Sequence, residues 1–169
     1  MPGRIHWSFY LRFAILAAIV YCIPVLFFLR DATYKEAWLL YVGNFLFLFP
    51  VLLLLVQFNR QRKENASSIA MLKAGGLVTV TGIVVSCLLC LLLILMMVPG
   101  YLHAGPTQKW LENKPANMIN DKTNGLSFMV FANAVVGNIS TGLFIAILFA
   151  FSLKSDQTKE NVPAKQSEL

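Results

Sequence analysis

Residues 126–153, LSFMVFANAVVGNISTGLFIAILFAFSL, decide how the rest of the chain is read. The stretch carries no charge over about 28 positions, and as a helix it reaches ~42 Å, more than the ~30 Å hydrocarbon core of a bilayer requires. Ala134, Asn138, Gly142, Ala146 and Ala150 recur at every fourth position, and Asn133, Gly137 and Thr141 form a second such row beside them. Bulky residues such as Phe131, Val135, Leu143, Ile147 and Phe151 fill much of the remaining circumference. The pattern predicts a transmembrane helix with one small, weakly polar stripe for close helix contact and a bulky remainder for lipid or neighbours.

Working outward, the whole chain has the same character. Its 169 residues are 57% hydrophobic and 13% charged, with a mean hydropathy of +0.66, whereas a soluble domain carries about a quarter charged residues. The charges cluster at 4–12, 30–36, 60–73, 109–122 and 154–168, and four apolar runs lie between the clusters. This organisation predicts an all-α fold, an integral membrane antiparallel four-helix bundle over residues 1–153, with helices at about 9–29, 37–58, 75–98 and 126–153. Residues 99–125 form an outer loop and 154–169 a polar tail expected to be disordered.

Each span has its own marks. The first is barely long enough without Phe9–Leu11 and contains Pro24; it ends in Phe27-Phe28-Leu29-Arg30 without a small-x-small cleavage site, so it reads as a retained helix. The loop 30–36 is short, which makes spans one and two antiparallel neighbours. Span two has Trp38 and Tyr41 as interfacial anchors, with Asn44 and Pro50 further in. In span three, Gly75, Thr79, Gly82 and Ser86 step along one face, a second small-residue stripe suited to the one on span four. Pro99-Gly100 stops that helix, and the loop beyond it holds the apolar pairs Trp110-Leu111 and Met118-Ile119, suggesting a short segment lying on the membrane surface.

The net charge of +6 does not point to nucleic acid, because the basic residues flank the spans instead of gathering on one surface. Attraction to anionic headgroups of the lipid bilayer is the expected consequence. Nine Lys and Arg (Arg4, Arg12, Arg60, Arg62, Lys63, Lys73, Lys154, Lys159, Lys165) lie in the N-terminal segment, the middle loop and the tail, against five (Arg30, Lys35, Lys109, Lys114, Lys122) in the other two loops. Both termini are therefore expected in the cytoplasm, with the long loop outside. In that topology Asn44 and Asn133 lie about 10 Å below the outer surface, and Ser86 and Asn138 about 18 Å below it, at ~1.5 Å per residue. Matched depths allow hydrogen bonds between spans two and four and between spans three and four.

Candidate chemistry is sparse. Cys87-Leu88-Leu89-Cys90 has the spelling of a dithiol motif, but it lies inside an apolar span with no cation nearby, where a thiolate is disfavoured. Packing by two small polarizable residues accounts for it, and Cys22, the remaining cysteine, is on span one. His6 and His103 fall outside the spans and on opposite sides, so no haem ligand pair is available within the bundle, and no Cys/His or carboxylate set suits a metal. No cofactor is expected. No ionisable Asp, Glu, Lys or Arg sits within a span core, unlike the coupling sites of ion-driven transporters. The residues that stand out, Asn44, Gly82, Ser86, Asn133, Gly137, Asn138 and Gly142, are candidates for helix packing.

In span count, outer loop and the Gly137-Asn138 to Lys154 segment of its fourth span, the chain resembles the small uncharacterised four-span proteins of bacterial inner membranes. That resemblance implies a four-helix membrane bundle. The expected role is non-enzymatic: an accessory or scaffold subunit contacting another membrane protein, or a self-associating bundle. A small permease or channel subunit is the alternative, followed by a membrane thiol oxidoreductase using Cys87 and Cys90.

Overall fold

The computed structural model describes residues 7–31, 33–61, 67–98 and 125–160, with side chains as far as 152. The chain is all-helical over these residues. Helix α1 spans Trp7–Asp31, α2 Trp38–Gln61 and α3 Ser68–Met97; α4 consists of Gly125–Ala132, a π-helical turn at Asn133–Gly137, and Asn138–Glu160. Four helices are long and apolar enough to cross a membrane. The outer loop and its surface segment fall outside the described residues, as do the histidines and the end of the tail.

Local chemistry sets the helix ends. A 3-10 turn at Tyr34–Glu36 links α1 to α2, with the Glu36 amide donating to the Thr33 carbonyl at 3.1 Å. Trp38 Nε1 donates to Glu36 Oε2 at 3.2 Å, fixing the indole over this turn. Helix α3 begins well before Gly75, where its apolar run starts, because Ser67 caps it: the hydroxyl accepts from the Ala70 amide at 3.3 Å. One more residue, Ser68, donates its hydroxyl to the Ala150 carbonyl at 3.2 Å and ties the start of α3 to α4. Helix α4 runs past Leu153 into the charged segment and ends at Glu160, since extending an existing helix costs far less than nucleating one. Pro24 and Pro50 are both buried within continuous helices.

Glycine and alanine govern the packing between helices. A Cβ built on Gly75 would stand 2.7 Å from the Ala146 Cβ, and one on Gly142 would overlap the Thr79 side chain. With the Ser68–Ala150 bond, these contacts run along α3 and α4 with the numbering in opposite senses. The predicted stripe on α4 is buried throughout: Ala134, Asn138, Gly142, Ala146 and Ala150 all face inward. Its counterpart on α3 is also buried but serves two neighbours. Gly75 and Thr79 face α4, whereas Gly82 faces the Phe47 ring on α2 and the Ala14 carbonyl on α1. Helix α1 packs on α2 and α3, and α4 packs on α2 and α3; α2 and α3 touch across the middle, with α1 and α4 on opposite sides of them. Going round the bundle, the order is α1, α2, α4, α3.

Because apolar lipid provides no hydrophobic drive for helix association in a membrane, such contacts stabilise through close packing. Gly142→Leu forces a large side chain into Thr79 and is expected to cost about 1–3 kcal/mol or more, measured by denaturant titration in detergent. Gly76→Ala, where no neighbouring atom lies within 4 Å of the new Cβ, is expected to raise the midpoint slightly, by about 0.5–1 kcal/mol of helix propensity.

Candidate functional site

The helix contacts bring a set of polar side chains to one level of the bundle. On α3, Ser86 lies one turn beyond Gly82; on α2, whose numbering opposes that of α3, Asn44 lies one turn before the Phe47 that Gly82 touches. Asn44 also rests against α4, where its amide fills the space left by the missing side chain of Gly137, its Cγ 2.6 Å from where a Cβ would stand. Asn138 follows Gly137 and faces inward one turn above the Thr79–Gly142 contact. Tyr21 of α1 packs on Gly43 and donates its hydroxyl to Asn133 Oδ1 at 3.2 Å. All four helices therefore contribute to this layer: Tyr21, Asn44, Ser86, and the pair Asn133 and Asn138.

The π turn shapes it. A π turn accommodates one residue more than an α turn, so the helical faces before and after it are out of the phase a regular α-helix would give. Asn133 and Asn138 stand five residues apart at its two ends. Two hydroxyls engage carbonyls of the turn: Ser140 Oγ donates to Val136 O at 2.8 Å, and Thr141 Oγ1 to Gly137 O at 2.9 Å. On α3, Thr79 likewise donates to Gly75 O at 2.8 Å, which leaves its methyl group to pack on Gly142. These three hydroxyls bond to their own helices.

The amides and Ser86 behave differently. Asn138 and Ser86 are both 0% exposed, and Asn44 is 5% exposed. Among the described residues, neither the Nδ2 nor the Oδ1 of Asn138 has a hydrogen-bond partner, nor do Ser86 Oγ and Asn44 Oδ1. Matched depths allow hydrogen bonds between spans two and four, at Asn44 and Asn133, and between spans three and four, at Ser86 and Asn138. Instead Asn133 accepts from Tyr21, Asn44 lies on Gly137, and Ser86 Oγ and Asn138 make no side-chain bond to each other. Equal depths hold only along an unbroken α-helix, and the π turn at Asn133–Gly137 interrupts it.

The cysteines regroup as well. All three are free thiols, and Cys22 of α1 and Cys90 of α3 are buried within hydrogen-bonding reach of each other, with Cys87 half-buried nearby. The Gly82–Ala14 contact independently places α1 and α3 in the same alignment, eight residues earlier on each helix. The thiol neighbour of Cys90 across the bundle is therefore Cys22, which local spacing could not reveal. Among the described residues no group of three or more His, Cys, Asp or Glu could hold a metal ion.

Of the residues singled out from sequence, the structure brings Asn44, Ser86, Asn133, Gly137 and Asn138 into one layer. Gly82 and Gly142 sit one turn away as packing points. Sequence reasoning passed over Tyr21, whose signal was a phenol in mid-span: in an apolar medium its hydroxyl needs a partner. Comparison with protein-family models, with curated proteins and with solved structures finds no match for the chain.

The thiol geometry makes a prediction. Diamide oxidation of the protein in membranes is expected to yield a disulfide between Cys22 and Cys90 in preference to Cys87 and Cys90, identified by peptide mass spectrometry. Cys22→Ser should abolish that product and Cys87→Ser should not.

Proposed function

We propose that the chain is a multi-pass integral membrane protein that works by contact, as an accessory or scaffold subunit for another membrane protein or as a self-associating bundle. The distribution of large apolar side chains supports this reading. The helices also turn bulky apolar ridges outward, for example Ile15, Ile19 and Ile23 on α1, and Val80, Val84, Leu88 and Leu92 on α3. Apolar surface this extensive suits lipid rather than water. On α2 the ridge is aromatic: Trp38, Tyr41, Phe45 and Phe49 are exposed at successive turns, with the Phe45 and Phe49 rings edge to face at 5.3 Å. Rigid aromatic rows of this kind carry much of the energy at protein interfaces. The bias of Lys and Arg favours an antiparallel four-span arrangement in a cell (inner) membrane with both termini cytoplasmic.

A small permease or channel subunit is the second reading. The buried polar layer favours it, because polar groups at the centre of a membrane bundle mark the pathways of transported molecules in other proteins.

Native mass spectrometry of the protein extracted gently from its own membrane separates these readings. A reproducible hetero-complex or homo-oligomer is expected for a protein that works by contact, and a bare monomer would overturn that role. Orientation has its own test: a cysteine at Ser67 should react with an impermeant maleimide only from the cytoplasmic side and one at Thr33 only from the outside. The reverse pattern would overturn the topology.

A further inference from the structure

We infer that the polar layer is a hydration site, holding ordered water between Asn138 of α4, Ser86 of α3 and Asn44 of α2. The three side chains come from three helices, lie within about one helical turn of one another in height, and present four buried polar atoms with no partner among the described residues. In hydrocarbon such atoms are costly to leave unpaired, and buried polar groups generally find a protein or water partner.

The chemistry of the layer restricts what fits. The Asn138 amide offers two donors and an acceptor, Asn44 Oδ1 only accepts, and Ser86 can do both. A partner serving all three must donate as well as accept, which excludes ketones, esters and other pure acceptors. Among the described residues the side chains around the site are uncharged, with Tyr21 and the cysteines the titratable groups placed near it, so an ion finds no counter-charge. Close contact at Gly137 and Gly142 demands a small partner. Water, with two donors and two acceptors, meets all of these conditions. The hydroxyls of Thr79, Ser140 and Thr141 do not compete for it, because each already donates to its own backbone.

The test uses the full-length chain in lipid nanodiscs. Nuclear Overhauser transfer from water to the Asn138 side-chain amide protons, assigned by their loss in Asn138→Leu, is expected, together with an unfolding temperature several degrees lower in that variant. The decrease follows because removing the amide leaves Ser86 and Asn44 without their bridged partner. If no water is bound, the same substitution replaces an unpaired polar group with a nearly isosteric apolar one and raises the unfolding temperature. An increase, the absence of transfer, or transfer from lipid protons alone would each overturn the proposal. Should Asn138→Leu fail to fold, the transfer in the wild-type protein decides, with assignment from selectively labelled Asn138→Gln.

Discussion

The close approach of α3 and α4 at Thr79 and Gly142 sets the height of everything else in the bundle. Between apolar helices, attraction depends on how nearly two backbones can meet, and only small residues allow near contact. Gly75 against Ala146 and Ser68 against Ala150 extend the seam toward one end. Once this alignment is fixed, Gly82 must meet Phe47 and the Ala14 carbonyl, which aligns α1 and α2 on the same helix. Sliding α3 by one turn would carry Gly82 away from the Phe47 ring and the Ala14 carbonyl that it meets in this alignment.

The polar layer acts on that alignment in a second way. Packing of small residues is tolerant of slips at spacing four, because the stripe repeats with that spacing. Polar groups break the degeneracy: Tyr21 reaches Asn133 at one height, and the Asn44 amide fits only where Gly137 leaves space. Buried polar residues that select one alignment at some cost in stability are well attested in helical assemblies. The π turn makes the arrangement possible by bringing both Asn133 and Asn138 into the layer from one helix.

What could be read from sequence follows the range of each interaction. The four spans and both small-residue stripes were legible, because length, hydropathy and spacing are local properties. The early start of α3 is legible in principle from the capping residue Ser67, although the uncharged run itself starts only at Gly75. The π turn was not legible: Asn133, Val135, Val136 and Gly137 are weak helix formers, but weak propensity does not specify an extra residue in the turn. The Cys22–Cys90 approach was hidden for another reason. It depends on α1 lying beside α3, a long-range choice between hairpin arrangements that periodicity within a helix does not encode.

That choice has an electrostatic consequence. Contacts Ala14–Gly82 and Cys22–Cys90 run in the same direction along α1 and α3, as do Asn44–Gly137 and Leu55–Gly75–Ala146 along α2 and α4. Helices that point the same way are therefore side by side instead of diagonal. Each end of the bundle is then divided: one half presents two helix N-termini, the other two C-termini, with partial charges of opposite sign. The end bearing the α1 and α3 N-termini consequently has a lateral polarity, positive over the α1–α3 half, and Arg60, in the last turn of α2, offsets the negative potential of the other half.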